Sequence, residues 1–90
     1  MSLRHEIVLV MLSKEASHGY ELRARLQRAL GPLADGLNAG QVYVTLGRLE
    51  MAGLVSSERA SGVPERRDRR VYDVTARGRA RVAEWLAEVV

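Results

Sequence analysis

The chain has 90 residues, a net charge of +3 and no cysteine. The lack of cysteine excludes disulfide bonds and thiolate metal sites, and no apolar run approaches the roughly 18 residues of a membrane span. The acidic Glu6 lies where a signal peptide would be basic or apolar, so the expected compartment is the cytoplasm.

A chain of this length forms one small domain, which buries only about 60–65% of the surface that its unfolded form exposes. We therefore expect it to gain stability by pairing with a second copy of itself. The charge is unevenly placed, because residues 1–58 sum to zero while residues 59–90 hold eight arginines and five acidic residues. Guanidinium groups bind phosphates bidentately, which suits a nucleic-acid partner, although a GC-rich genome would favour arginine equally.

Two helices are predicted at the start of the chain. The first is LRHEIVLVMLSK (3–14), whose apolar residues recur with helical spacing. The apolar residues on this face are Leu3, Ile7, Val8, Met11 and Leu12. Ser17 is placed to cap the second helix, HGYELRARLQRAL (18–30), on which Glu21 and Arg25 form an outer i,i+4 ion pair.

A break at GPLADGLN (31–38) precedes a third helix, which is predicted to begin at Asn38 as its N-cap and to end at Gly53. Its predicted inward residues are Val42, Leu46 and Leu49. Its outer face carries amide, aliphatic and guanidinium groups: Asn38, Gln41, Val44 and Arg48. In a major groove, amides pair with adenine, arginine with guanine or phosphate, and valine with a thymine methyl group. A solvated face is the alternative interpretation.

The last third of the chain predicts a hairpin and a fourth helix. Short strands are indicated in LVSSERA (54–60) and RRVYDVT (69–75), with a Gly-, Pro- and charge-bearing tip between them. Thr75 is placed to cap ARGRARVAEWLAEVV (76–90). The fold class is thus mainly α with a small β-hairpin, in the order α-α-α-β-β-α. Two helices joined by a turn and followed by a basic hairpin form a winged helix-turn-helix.

The hairpin tip and one tyrosine are further candidates for contact with DNA. Four arginines of the wing are expected to contact phosphates or a minor groove, with a solvated loop as the alternative: Arg66, Arg67, Arg69 and Arg70. Tyr43 either donates to a phosphate or packs its ring under the wing, and the sequence leaves both open.

The fourth helix carries two apolar stripes. The large stripe comprises Val82, Trp85, Leu86 and Val89, and the small stripe comprises Ala76, Ala80, Ala83 and Ala87. Since the small stripe can pack closely on the chain's own helices, the large one is expected to face a second copy. The alternative is that both stripes belong to the core. The predicted division is a DNA-binding domain over residues 1–75 and a dimerisation helix over residues 76–90.

Residues typical of metal or catalytic sites are sparse. His5 and His18 lie in different helices with no converging carboxylates, so neither is expected to bind a metal ion. The chain has no phosphate-binding Gly-rich loop, no paired acids and no recognisable Ser/His/Asp set, which argues against an enzyme. No cofactor is expected.

Three phrases carry a family resemblance. HGYEL (18–22), GQVYVTLGRLEMAGLV (40–55) and RRVYDVTARGR (69–79), in this order and at this spacing, resemble the PadR family of bacterial transcriptional regulators. The resemblance implies a winged helix-turn-helix dimer that represses nearby genes and releases double-stranded DNA on binding a small hydrophobic or aromatic effector. An aromatic residue of the last helix lines the effector pocket in some members, which nominates Trp85.

The sequence also departs from the family pattern. Val44 stands where the family usually has proline, Gln41 replaces a serine, and Val71 replaces the first tyrosine of the wing strand. Family members continue the last helix beyond the position of Val90 or add a helical domain, so the chain resembles a short or trimmed member. The sequence predicts a repressor that binds a two-fold operator as a homodimer. A winged-helix module that binds protein instead of DNA is the alternative.

Overall fold

The computed structural model describes residues 3–59 and 70–89, which form four α-helices, one 3-10 turn and a three-stranded antiparallel sheet. The elements in chain order are α1 (Leu3–Lys14), β1 (Ser17–His18), α2 (Gly19–Leu30), the 3-10 turn (Gly31–Ala34), α3 (Ala39–Met51), β2 (Val55–Arg59), β3 (Arg70–Val74) and α4 (Ala76–Val89). The predicted fold class is confirmed. No helix in the described ranges is long and apolar enough to cross a membrane.

Helix α3 begins and ends where the sequence predicts. The side-chain oxygen of Asn38 accepts a hydrogen bond from the backbone N–H of Gln41 at 2.9 Å, which satisfies a donor that the first helical turn leaves unpaired. Gly53 follows the helix with a φ of 78°, and the N–H of Leu54 donates to the carbonyl of Leu49 at 3.0 Å. This arrangement is a Schellman motif, and it directs the chain from α3 into β2.

The start of α2 differs from the prediction. Ser17 is not the cap of the helix, because it lies in β1, opposite Tyr72 of β3, and His18 occupies the N-cap position without a side-chain bond. The hydroxyl group of Ser17 donates to the carbonyl of His18 at 2.9 Å. The sheet order is β1-β3-β2, so the wing strands are joined by a third strand that is too short to produce a sequence pattern.

Arg25 also has a different partner from the one predicted. Its guanidinium group donates to the backbone carbonyls of Glu15 at 2.9 Å and Met11 at 2.7 Å, at the end of α1, instead of pairing with Glu21 on the surface of α2. A cation is favourable there because the carbonyls at the end of a helix carry partial negative charge. This contact fixes α2 against α1.

The core lies between α1, α2, α3 and the sheet. Its most deeply buried apolar residues are Val8, Leu9, Leu12, Leu22, Leu26, Val42, Leu46 and Leu49. The inward residues predicted for α3 are confirmed. The prediction for α1 was wrong at Leu3, which is 63% exposed, while Glu6 is buried and forms an ion pair with Arg81 of α4.

The stripes of α4 do not lie as predicted, because the small stripe does not pack on the chain's own helices and the large stripe is divided between the core and the surface. Val82, of the large stripe, is buried in the chain's own core, whereas the four alanines of the small stripe are exposed. One turn before Val82, Gly78 lies against Leu54: a Cβ atom on Gly78 would lie 2.1 Å from the carbonyl oxygen of Leu54. Glycine, not the alanine stripe, therefore allows the close approach of α4.

The hydroxyl of Thr75 accepts from the N–H of Gly78 at 3.1 Å, which confirms the predicted cap.

Candidate nucleic-acid interface

The outer face of α3 is exposed and lies opposite the core. Asn38, Gln41, Val44 and Arg48 are all exposed, Val44 by 51% of its surface. Helical spacing brings them to one side of α3, as the sequence predicts. This surface offers apolar contact, hydrogen-bonding groups and one positive charge to whatever covers it.

The first turn of α1 lies beside this face. An open groove of about 660 Å³ separates the two helices; its walls are Leu3, Arg4, His5, Gln41, Val44, Thr45 and Arg48. The Nη1 of Arg4 donates to the Oε1 of Gln41 at 2.9 Å across this groove. Arg4 is not among the residues predicted from the sequence, because it lies 37 positions from Gln41 and no local pattern connects the two.

His5 is half-buried in the same groove, among positive charges. Burial lowers its pKa below the ordinary value of 6.5, the positive charges of Arg48 and Arg4 lower it further, and Glu6 acts in the opposite direction. The groove thus disfavours a further positive charge in the free protein.

The free energy of unfolding should fall as the pH drops below about 6.5. The unfolded chain protonates His5 near its ordinary pKa and the folded chain only at lower pH, so the unfolded state binds more protons in that window. Thermal unfolding at pH 7.5 and 5.5 would measure this dependence, which should be smaller in His5→Asn than in the unmodified chain. An equal dependence in both proteins would assign it to other groups.

Tyr43 is half-buried, and its ring packs against the start of α2. A Cβ atom on Gly19 would lie 2.5 Å from the Cε1 of this ring, so glycine is needed for the contact. Packing of the ring under the wing, one of the two alternatives that the sequence leaves open, is not tested by this contact. Its hydroxyl group as a phosphate donor stays a prediction.

The base of the wing is tied to α3. The hydroxyl of Ser57 in β2 donates to the Oε2 of Glu50 at 2.8 Å and accepts from the Nη1 of Arg70 at 3.2 Å. Arg70 is exposed and lies opposite Arg59 in the β2–β3 register. Two arginines are therefore neighbours at the end of β2 and the start of β3. Arg59 is not among the residues predicted from the sequence, although a count of basic residues on both strands identifies it. Arg66, Arg67 and Arg69 lie outside the described residues.

The candidates on α4 are divided between the core and the surface. Val82 is in the core, Trp85 is half-buried and Leu86 is 43% exposed. The side chain of Val89 lies outside the described part of the chain. Over residues 3–59 and 70–89, no group of three or more His, Cys, Asp or Glu side chains is placed to hold a metal ion.

Solved structures share this architecture. A PadR-like transcription factor from Bacteroides fragilis superposes with a TM-score of 0.81 at 22% identity, over 96% of this chain and 79% of that one. The crystal structure of Bacillus subtilis PadR in complex with operator DNA gives a TM-score of 0.80 at 21% identity, over 94% of this chain and 47% of that one. At such identities the likeness shows the fold.

Sequence comparisons go further. The family described as "Transcriptional regulator PadR-like family" matches residues 8–84. A probable transcriptional regulator of Mycobacterium tuberculosis is 40% identical over an alignment of 90 positions, which covers 98% of this chain and 45% of the relative. The chain therefore spans less than half the length of that protein. With a family match over most of its residues and a relative at this identity, the chain belongs to the PadR-like family of transcriptional regulators.

Proposed function

We propose that the chain is the DNA-binding part of a repressor that binds a two-fold operator as a homodimer and releases it when a small hydrophobic or aromatic effector binds. The observation that carries the proposal is the exposed face of α3, whose amide, aliphatic and guanidinium groups match the chemistry of base edges. The Bacillus subtilis relative with the same fold was solved with operator DNA, which supports the same use of the fold here.

In this proposal, α3 lies in the major groove and the wing contacts the backbone or the minor groove. The ties from α3 through Ser57 to Arg70 hold the recognition helix and the wing in one orientation. Phosphate contacts by the arginines supply most of the affinity, and the contacts of α3 supply the sequence preference.

Titration against fragments of the source genome at two salt concentrations tests the proposal. A regulator that binds DNA should select a small set of fragments, and its log K should fall with log salt by roughly 0.9 for each phosphate contact. If no saturable binding to DNA is seen at either salt concentration, the result would point instead to a module that binds protein.

Arg48→Ala should reduce sequence selection more than overall affinity. If the guanidinium group of Arg48 is bidentate to a guanine, its loss should cost about 1–3 kcal/mol on the selected operator and little on random DNA. Arg28→Ala, which removes an exposed arginine from the last turn of α2, is the matched control. Competition binding with both DNAs would measure the difference, and an equal loss on both would make Arg48 a phosphate contact.

The dimer is proposed to form through the exposed part of α4. Leu86 is exposed and Trp85 is only half-buried within the chain, so the second half of α4 offers apolar surface to a second copy. Val82 is not part of this surface, because the chain's own core covers it. Binding of an aromatic effector beside Trp85 would change its fluorescence directly, since it is the only tryptophan.

Trp85→Ala should shift the protein toward monomer and weaken operator binding, although the residue touches no DNA in this arrangement. Replacing a tryptophan that is fully buried in a dimer costs roughly 3–5 kcal/mol of stability. Because the ring of Trp85 is already half-buried within one chain, only part of this cost would come from the dimer. Ala83→Gln, on the exposed small stripe, is the control. Sedimentation of the unmodified chain and both variants over a concentration range would measure the assembly state. If all three proteins have the same assembly state, Trp85 does not hold the dimer together and belongs to the chain's own core.

A further inference from the structure

The side-chain amide of Gln41 is oriented by a hydrogen bond from Arg4. Its Oε1 accepts a hydrogen bond from the Nη1 of Arg4 at 2.9 Å. A guanidinium group can donate but cannot accept, so the amide oxygen, and not the nitrogen, must face Arg4. The NH₂ group of Gln41 is therefore the part of the amide left for a ligand.

Asn38 has the same arrangement for a different reason. Its Oδ1 accepts the backbone N–H of Gln41 at 2.9 Å as the cap of α3. A backbone N–H can only donate, so this amide too has its oxygen turned toward the protein and its NH₂ group turned away. With the guanidinium group of Arg48 on the same face, three side chains at this surface offer donors.

We infer that the exposed face of α3 contacts acceptor edges of the bases, guanine N7 and O6 or thymine O4, and that Arg4 is the positioning residue that sets this preference through Gln41. The inference rests on the proposed binding of DNA and specifies its chemistry. It replaces the adenine contact that the amides alone suggest, because bidentate pairing with adenine needs an amide oxygen free to accept from N6.

The inferred preference for base acceptors arises because Arg4 and a base amino group would compete for the side-chain oxygen of Gln41. Arg4 occupies one lone pair of Oε1 and places a positive charge beside the other. Adenine also has an acceptor, N7, but its neighbouring N6 amino group, like the amino group of cytosine, would have to approach that charge with its own hydrogen atoms. A keto oxygen approaching the NH₂ group meets no such opposition.

Selection of bound sequences from a random DNA pool, using the 90-residue chain, tests the inference. The unmodified chain should prefer guanine or thymine over adenine at the Gln41 contact by about tenfold. Arg4→Ala frees the amide oxygen, so adenine should become acceptable there and the preference should fall to about threefold or less. Arg4→Glu places an acceptor beside Gln41 and should turn the amide over, so that adenine or cytosine becomes preferred even though overall affinity falls.

Gln41→Ala locates the contact, because it should remove the preference at that position alone. Arg4 and Gln41 are both exposed, so thermal unfolding should show folded variants in each case. If Arg4→Ala and Arg4→Glu weaken binding to all sequences equally and leave the selected bases unchanged, Arg4 is a phosphate contact and the inference is wrong. If the unmodified chain itself selects no sequence, the proposed function fails instead.

Discussion

Replacing Gly78 by alanine is expected to lower the free energy of unfolding by about 3 kcal/mol or more, near or above the usual upper range for an overpacked site. The added Cβ atom would lie 2.1 Å from the carbonyl oxygen of Leu54. That oxygen cannot rotate away as a side chain would, because it belongs to the backbone and accepts from the N–H of Thr75 at 3.0 Å. A small domain has only about 5–15 kcal/mol of stability, so much of it would be lost.

Gly47→Ala is the matched control for this change. Gly47 lies in the interior of α3, with nothing within 4 Å of an added Cβ atom. Alanine there should raise the free energy of unfolding by roughly 0.5–1 kcal/mol, because it restricts the unfolded chain and favours the helix. Thermal and denaturant unfolding, followed by circular dichroism, would compare the two variants. Equal stability of the Gly78→Ala protein and the unmodified chain would mean that α4 does not approach Leu54 so closely.

Features encoded by neighbouring residues were predictable. Asn38 and Gly53 mark the ends of α3 because an N-cap and a left-handed C′ position are properties of a few consecutive residues. The inward stripe of α3 was predictable for the same reason, since its period is that of the helix itself. The order of helices and wing strands followed from these local features.

Features that join distant residues were not predictable. β1 exists because Ser17 and His18 meet β3, more than fifty residues later, and two residues carry no periodicity of their own. Arg4 joined the candidate site only when folding placed α1 beside α3. The apolar spacing of α4 does not show that Val82 is covered while Leu86 stays exposed, because the close approach of Gly78 to Leu54 joins residues far apart in the chain.

The burial of Glu6 was likewise hidden, because its partner is 75 positions away. The side chain of Glu6 is 3% exposed, and that of Arg81, which pairs with its Oε1, is 26% exposed. Within the described residues, the Oε2 of Glu6 has no hydrogen-bond partner. The pair joins α4, which carries the proposed dimer surface, to α1 two residues after Arg4.

Arg81→Met should therefore destabilise the domain by an amount near the lower end of the roughly 3–5 kcal/mol that follows when a buried ion pair loses one partner. The loss arises mainly because the carboxylate of Glu6 stays buried without its cation; the partial exposure of Arg81 admits some water and reduces it. Arg79→Met is the control, since Arg79 is exposed on the same helix and makes one long contact, 3.4 Å, to the carbonyl of Ser13. It should change the free energy of unfolding by no more than about 0.5 kcal/mol.

The double variant Glu6→Leu with Arg81→Met separates the cost of an unpaired charge from the loss of packing. With both charges removed and apolar groups in their place, the free energy of unfolding should return to within about 1 kcal/mol of the unmodified chain or exceed it. Denaturant unfolding of the two single variants and the double variant completes the cycle. Two results would contradict this expectation: a loss of stability in Arg81→Met no larger than in Arg79→Met, or a loss in the double variant equal to the summed losses of its two single variants. Either result would mean that the link between α1 and α4 depends on Val82 and its apolar neighbours and not on the ion pair.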